Sequence, residues 1–316
     1  MSDDVFAGCS GSPLHDAPRL AAALGIARVA LKRDDLLAFA GGGTKCRKLA
    51  GLDRRLGTSA DTLLLSGGCT SNQVRIIAAL ARATGRACEI FLNAPDDAPA
   101  ADFARLFGAK VHALPDADSW ALNAAIRSRL KALMSEGRRA VVVPAAAAAD
   151  LAVYDAAIGE IAVDFADVET LVVAAGSGAT SAGFLLGLDR HLPDTRLIAV
   201  SVDRPAAELR TVIERLIVGA GIAADGADLP RIMQRLAIDD RFIGAGYGKP
   251  SEASLQATSL AAASEGVLME PVYTGKALAA LTAIAAEGGI ARDARVIFWH
   301  TGGVPYLAGT LAGMRA

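Results

Sequence analysis

The feature that most constrains this chain is the regular succession of short, wholly apolar runs and alanine-rich stretches of helical length. The apolar runs carry hydrophobic residues at consecutive rather than alternate positions, which is typical of parallel strands buried on both faces. Strands of this kind separated by helices predict an α/β fold of the doubly wound type. The predicted strands are Ala27–Lys32, Thr62–Ser66, Ala87–Leu92, Lys110–Ala113, Ala140–Val143, Thr170–Ala174, Arg196–Ser201 and Arg295–Trp299. The predicted helices are Ser71–Thr84, Pro99–Phe107, Ala121–Glu136, Leu151–Val163, Ser181–Leu192, Pro205–Val218, Ser251–Glu265 and Gly275–Glu287.

Glycine-rich turns follow three of these predicted strands. Ligands of open α/β sheets bind at the carboxyl ends of the strands, so the turns together predict one small-molecule site. Ordinary turn chemistry explains any single turn, but it explains three of them less well. The turns are Gly67-Gly68, Gly176-Ser177-Gly178 and Gly302-Gly303.

Composition narrows the class of protein. Hydrophobic residues make up 53% of the chain and charged residues 21%, which excludes a disordered chain. The net charge of −2 gives no broad basic face for nucleic acid. The N-terminal residues are acidic, so no signal peptide is expected. The four cysteines form no CxxC pair and no zinc-spaced cluster, which predicts reduced thiols in the cytoplasm and no metal site.

The uncharged segment Leu171–Leu188 is long enough to raise the question of a membrane span. It contains several glycines and hydroxyl residues, and a strand, a glycine turn and a packed helix explain it better. No membrane partner is therefore expected.

Lys45 is the first candidate for chemistry, because it follows the triple glycine Gly41-Gly42-Gly43 at the start of a helical stretch. Glycines let the backbone approach a ligand closely, and a helix N-terminus favours an anion such as a phosphorylated cofactor. The spacing does not match a Walker P-loop, since Gly43 and Lys45 are not adjacent. A solvated surface lysine is the alternative.

Three further clusters carry short polar side chains. Around Ser71 several hydroxyl and amide groups join a strand to a helix, although a helix N-cap alone would explain one of them. The turn Gly176–Thr180 suits a single phosphate, and Ser181 at the third glycine position leaves a dinucleotide fingerprint unsupported. Tyr247 and Tyr273 can exchange protons, but half-buried tyrosines often serve packing only.

Taken in order, six stretches resemble the D-cysteine desulfhydrase and 1-aminocyclopropane-1-carboxylate (ACC) deaminase family of fold-type II enzymes that depend on pyridoxal 5'-phosphate (PLP). The resemblance runs from Leu31 to Tyr306 and implies a tryptophan synthase β-like fold with two doubly wound open-sheet domains. The domains expected from it are 1–47 with 145–316 as the large, PLP-binding domain and 48–144 as the small one. The stretches are LKRDDLLAFAGGGTKCRKL, SGGCTSNQVR, AAGSGATSAG, GAGYG, LMEPVYTGKA and HTGG.

The resemblance also implies roles for the matching residues. Lys45 matches the lysine that binds PLP covalently and moves protons, and Asn72 matches the hydrogen-bond partner of the cofactor's phenolic oxygen. Thr274 matches the partner of the pyridine nitrogen. The phosphate-binding turn matches Gly176, Ser177, Gly178, Ala179 and Thr180. Catalytic and substrate-contacting positions match Ser71, Gln73, Tyr247, Tyr273 and Thr301.

Within this family the motifs point to different substrates. Gln73 resembles the ACC deaminases, whereas Thr274 and Thr301 resemble the desulfhydrases. We give Thr274 the greater weight, because a neutral hydroxyl on the pyridine nitrogen suits β-elimination better than cyclopropane ring opening. The expected reaction is α,β-elimination from a small amino acid, D-cysteine first, with L-cysteate, ACC, a diverged substrate and a non-catalytic PLP-binding protein as alternatives. The family implies a homodimer.

The sequence departs from the family pattern at several positions. Thr44 stands where asparagine is usual, Thr70 where glutamine is usual, and Ala179 where glycine is frequent. The run Ala145–Ala149 replaces a stretch containing glycine, serine and asparagine. These departures bear on the substrate and leave the expected cofactor unchanged.

Overall fold

The computed structural model describes residues 3–147, 150–163, 165–221 and 229–313. The chain packs into two compact units. The smaller unit contains the residues up to Cys9 together with Ala38–Ala40 and Lys48–Ala145, and the larger unit contains the rest. The domain boundaries expected from the sequence, 1–47 with 145–316 and 48–144, stay a prediction.

A six-stranded sheet forms the centre of the larger unit, with strand order β1-β2-β10-β7-β8-β9. The pair β1–β2 is antiparallel and the other neighbours are parallel. Its strands are β1 (Leu14–Asp16), β2 (Arg28–Arg33), β7 (Thr170–Ala175), β8 (Arg196–Ser201), β9 (Leu236–Asp239) and β10 (Arg295–His300). Its helices are α1 (Pro18–Leu24), α6 (Leu151–Ala162), α7 (Ala179–His191), α8 (Ala206–Gly219), α9 (Leu229–Met233), α10 (Glu252–Glu265), α11 (Thr274–Ala286) and α12 (Leu307–Gly313).

Helices cover both faces of this sheet. In β7, Leu171 and Val173 pack with residues of α6, α7 and α8, whereas Val172 and Ala174 pack with residues of α1, α10 and α11. Successive side chains of a strand point to opposite faces, so a strand buried on both must be apolar throughout. This explains the continuous apolar runs that the sequence shows.

The smaller unit has a parallel four-stranded sheet of order β5-β4-β3-β6. Leu64 and Phe91 on this sheet pack against apolar side chains of α5. Its strands are β3 (Thr62–Gly67), β4 (Ala87–Leu92), β5 (Lys110–Ala113) and β6 (Ala140–Val142). Its helices are α2 (Leu49–Leu56), α3 (Asn72–Ala83), α4 (Pro99–Leu106) and α5 (Ser119–Ser135).

The structure contains elements that the sequence pattern did not predict, namely the strands β1 and β9 and the helices α1, α2, α9 and α12. Both strands lie at the edges of the six-stranded sheet and are three and four residues long. Both are partly exposed, and periodicity is a weak signal in segments of three or four residues. Among the described residues, no helix is both long and apolar enough to cross a membrane.

Candidate active site

Four parallel strands of the larger unit, β2, β10, β7 and β8, lie side by side and end at one edge of the sheet. The turn after β10 begins at Thr301, and the turn after β7 spans Gly176–Gly178. The segment after β2 leads to a 3-10 turn at Thr44–Lys48 that contains Lys45. Three of the stretches singled out from the sequence therefore lie at the sheet edge where α/β proteins bind ligands.

Two of these turns touch backbone to backbone. The Thr44 N–H donates to the Thr301 carbonyl at 2.9 Å. A Cβ on Gly302 would lie 2.5 Å from the Gly43 Cα, and both glycines have positive φ angles, 100° and 115°. Only glycine fits such a contact without displacing backbone. Lys45 is thus carried by a turn fixed directly to the turn that contains Thr301.

A buried ion network holds the other side of the Lys45 turn. The Arg47 guanidinium donates to both Asp34 carboxylate oxygens at 2.9 and 2.7 Å, and to Glu160 at 2.6 and 3.0 Å. Burial opposes ionisation of Glu160, but the bonds from Arg47 and Lys32 lower the pKa of its carboxyl group. Bidentate pairing fixes the orientation of the guanidinium. The network ties the Lys45 turn to β2 and α6.

His300 shapes the turn after β10. Its Nε2 lies 2.8 Å from the Leu268 carbonyl, and its Nδ1 accepts from the Gly302 N–H at 3.2 Å. These two bonds require the hydrogen on Nε2 and none on Nδ1. Burial lowers the pKa of His300, which favours this neutral form. The imidazole thereby fixes the backbone next to Thr301.

The turn Gly176–Thr180 starts α7 without a side-chain cap, because the N-cap residue is Gly178 with φ 82°. In the first turn of the helix, the Ser181 hydroxyl is fully buried and has no hydrogen-bond partner among the described residues. The first N–H groups of a helix and its dipole favour an anion, so this turn fits a phosphate.

Glu270 organises the start of α11. Its buried carboxylate accepts the N–H groups of Val272 and Tyr273 at 2.8 Å and of Thr274 at 2.9 Å. Burial raises the pKa of the Glu270 carboxyl group above its ordinary value, and the three N–H groups act in the opposite direction. The Thr274 hydroxyl donates to the Glu270 carbonyl at 3.0 Å and accepts from the Glu270 N–H at 3.0 Å. Thr274 is fully buried and its donor is already used within this turn.

Two tyrosines meet beside this turn. The Tyr247 and Tyr273 hydroxyl oxygens are 2.5 Å apart, and the two rings meet edge to face. Burial, followed by Tyr247, Glu270 and Asp203, raises the pKa of Tyr273 well above its ordinary value. Tyr273 therefore keeps its proton at neutral pH. A Cβ on Gly176 would lie 3.5 Å from the Tyr273 ring, so the tyrosine lies next to the phosphate-fitting turn.

The Ser71 cluster lies in the smaller unit, after the end of β3. The Ser71 hydroxyl accepts from the Val74 N–H at 3.4 Å as the N-cap of α3, which is a long bond. The Asn72 amide oxygen accepts from Arg75 at 2.9 Å. Both ends of the Gln73 side chain are engaged within this unit. Its oxygen accepts from Lys48 at 3.2 Å and its nitrogen donates to the Pro144 carbonyl at 2.6 Å.

The structure distributes the site residues expected from the sequence between the two units. The roles expected for them stay predictions. The larger unit holds Lys45, Gly176, Ser177, Gly178, Ala179, Thr180, Tyr247, Tyr273, Thr274 and Thr301, and the smaller unit holds Ser71, Asn72 and Gln73. Of the Ala145–Ala149 run, Ala148 and Ala149 lie outside the described residues.

Several structurally important residues received no role from the sequence. They are buried charged or titratable side chains inside the quoted motifs, and that position was the signal that could have found them. They are Asp34, Arg47, Glu270, Lys276 and His300.

Comparison with known proteins decides the family. Residues 5–302 match the protein family described as pyridoxal-phosphate dependent enzyme. The chain belongs to this family. It is 34% identical to D-cysteine desulfhydrase of Salmonella choleraesuis (strain SC-B67), over 94% of this chain and 92% of that protein. The predictions of a PLP-dependent enzyme and of its fold type are confirmed.

Solved structures give the same fold. An ACC deaminase homologue superposes with a TM-score of 0.84 at 26% identity, covering 100% of this chain and 99% of that one. A hydrogen sulfide-producing enzyme from Fusobacterium nucleatum superposes with a TM-score of 0.70 at 15% identity, covering 97% of this chain and 100% of that one. The second similarity bears on the fold alone.

The cofactor of this family fits the residues of the larger unit. PLP carries one phosphate, and the turn at Gly178 offers uncapped N–H groups with the unpartnered Ser181 hydroxyl beside them. Lys45 lies at the same sheet edge and is partly exposed. The described residues contain no cluster of three or more histidine, cysteine, aspartate or glutamate side chains that could hold a metal ion.

Proposed function

We propose that the chain catalyses α,β-elimination from a small β-substituted amino acid, with D-cysteine as the first candidate. D-Cysteine and water give pyruvate, ammonia and hydrogen sulfide, so no oxidant or reductant is needed. The 34% identity to a D-cysteine desulfhydrase over most of both chains supports this choice.

The observation that carries the proposal is that position 274 holds a neutral threonine, whose hydroxyl hydrogen already bonds the Glu270 carbonyl, and not a carboxylate. The neighbouring carboxylate, Glu270, already accepts three backbone N–H groups at the start of α11. When bound, PLP supplies an electron sink for the charge that develops at the amino acid's Cα, and a neutral hydroxyl partner makes that sink weaker than a carboxylate would. A weaker sink suits a substrate that carries a good leaving group, as cysteine does.

The chain's own residues supply the proton movements. We assign the Lys45 amine to the proton at Cα and the Ser71 hydroxyl to orienting the substrate. Tyr273 stays protonated because its pKa is raised, so it holds a proton that the departing sulfur can accept. Tyr247, 2.5 Å away, orients that hydroxyl. Asn72 and Thr301 are assigned to the cofactor ring and the substrate.

Gln73 is weaker evidence for ACC as the substrate than its residue type suggested. Its amide is buried and bonded to Lys48 and to the Pro144 carbonyl. These bonds give it a structural role within the smaller unit, whatever the substrate is.

ACC deamination is the second candidate, since an ACC deaminase homologue shares the fold at 26% identity. L-Cysteate elimination and a diverged substrate are further alternatives. A non-catalytic PLP-binding protein fits less well, because Lys45, Ser71 and Tyr273 are all present.

We further propose that the chain works as a homodimer in the cytoplasm, with the two units acting as its small and large domains. The four cysteines, all within the described residues, are thiols, which agrees with a reducing compartment. Light scattering on the purified enzyme tests the assembly, with twice the chain mass of 32.3 kDa expected.

A substrate panel tests the reaction. Purified holoenzyme is assayed with D-cysteine, L-cysteine, L-cysteate and ACC for keto acid, ammonia and, where it applies, sulfide. We expect kcat/KM for D-cysteine to exceed that for ACC by at least about tenfold, because cysteine carries a good leaving group. The ratio of the two kcat/KM values measures discrimination between the transition states. A higher value for ACC would overturn the assignment, and no turnover of any substrate would favour a diverged or non-catalytic protein.

A further inference from the structure

The loop that carries Tyr247 joins β9 to α10 and has little internal support. Gly244, Gly246 and Gly248 all have positive φ angles, of 64°, 120° and 76°. The backbone bonds that link Asp240, Ile243, Gly246 and Lys249 within the loop are each 3.4 Å long. Glycines raise the conformational entropy that must be lost on ordering, and bonds of this length are weak. The loop therefore needs an anchor outside itself.

Lys276 provides that anchor from the first turn of α11. Its side chain is fully buried. Its ammonium group donates to the Ile243 carbonyl at 2.7 Å and to the Gly246 carbonyl at 3.1 Å. Both bonds are shorter than the 3.4 Å backbone bonds within the loop. A buried lysine is unfavourable unless specific partners compensate it, so packing alone does not explain its presence.

The same helix start contacts the loop a second time. Tyr273, three residues before Lys276, places its hydroxyl 2.5 Å from that of Tyr247. The Glu270 carboxylate fixes the backbone beneath Tyr273. One helix terminus thus holds the loop through Lys276 at Ile243 and Gly246, and meets the next residue, Tyr247, through Tyr273.

We infer that Lys276 is a positioning residue that holds the Gly244–Gly248 loop so that Tyr247 meets Tyr273. The role of the tyrosine pair in turnover rests on the proposed function, but the anchoring of the loop does not. Lys276 acts through Tyr247 and touches no reacting atom.

Hydrogen exchange measured by mass spectrometry on the holoenzyme tests the anchor directly. In Lys276→Met, which keeps the length of the side chain and loses the donors, loop amides should exchange at least about tenfold faster, because two charge-assisted bonds are lost. Lys249→Met is the matched control, since Lys249 is an exposed lysine of the same loop. The exchange rates of the β7 amides should be unchanged in both variants. Unchanged loop exchange in Lys276→Met, or equally faster exchange throughout the unit, would overturn the inference.

Kinetics separates positioning from general support. In Lys276→Met, kcat/KM should fall at least about tenfold, whereas adding the same change to Tyr247→Phe should cost no more than about twofold. Full additivity would contradict action through Tyr247. If no substrate is turned over, the proposed function fails and the exchange result still decides the anchor. Lys276→Gln retains a hydrogen-bond donor on a shorter side chain, so the loop amides of this variant should exchange at an intermediate rate. This variant replaces Lys276→Met in the test if Lys276→Met does not fold.

Discussion

Each unit has a junction in which a strand is followed by a glycine-containing turn and then by a helix. The two helices begin differently. After β3, Ser71 caps α3 with its own hydroxyl. After β7, Gly178 begins α7 and has no side chain with which to cap it. The first helix thus satisfies part of its N-terminal N–H set internally, whereas the second leaves these groups for a ligand.

The glycines of the two junctions are also required for different reasons. A Cβ on Gly67 would lie 2.5 Å from a methyl group of Val74 and 2.8 Å from the Ser71 hydroxyl. A Cβ on Gly178 would meet Ile213 at 3.3 Å, which is tolerable, but its φ of 82° disfavours other residues. Gly67 is required for packing and Gly178 for backbone conformation. A glycine turn after a strand therefore does not by itself identify a phosphate site.

The largest effect is expected at Lys45. Lys45→Ala should remove the borohydride-reducible link between PLP and the chain and lower turnover at least about a thousandfold, because the covalent catalyst is lost. Lys48→Met, in the other unit, should keep the link, since Lys48 bonds Gln73. Absorbance and mass spectrometry after reduction read out both variants. A link that persists without Lys45 would refute the assignment and move the cofactor chemistry to another lysine.

A pair of glycine variants sharpens the contrast between the junctions. Gly178→Ala should weaken PLP retention about tenfold, because an L-residue at this φ shifts the start of α7 at a cost of about 1–3 kcal/mol. Gly67→Ala should instead destabilise folding by about 1–3 kcal/mol through overpacking. PLP dissociation and urea unfolding of each variant measure the two effects. Equal loss of PLP in both variants would contradict the assignment of the phosphate to the Gly178 turn.

The smallest effect on folding is expected for the two serine caps. Ser71→Ala should cost only about 0.5 kcal/mol of unfolding free energy, because its capping bond is 3.4 Å long, but it should lower kcat/KM about a hundredfold. Ser251→Ala removes the capping box of α10 and should cost about 1 kcal/mol with turnover unchanged. If Ser71→Ala leaves kcat/KM unchanged, Ser71 is only a cap and the substrate role assigned to it is wrong.

The difference between the expected and observed elements has a physical cause. Strands buried on both faces of the sheets are apolar at consecutive positions, and these were predicted to within a few residues. The edge strands β1 and β9 and the short helices α1, α2, α9 and α12 were missed. Their burial is partial or their length small, and local periodicity is weak in such segments.

Local features of the sequence are enough for the fold class, the family and the cofactor, and they predict the turns where ligands bind. Each of these depends on local features: an apolar period, a glycine before a helix, or the order of short motifs. Only the tertiary structure showed that Glu270 caps α11, that Gln73 is held by Lys48 and Pro144, and that Lys276 holds the Tyr247 loop. Such hydrogen bonds join groups that are far apart along the chain or depend on side-chain direction. Their existence follows from how the elements pack, which no local pattern contains.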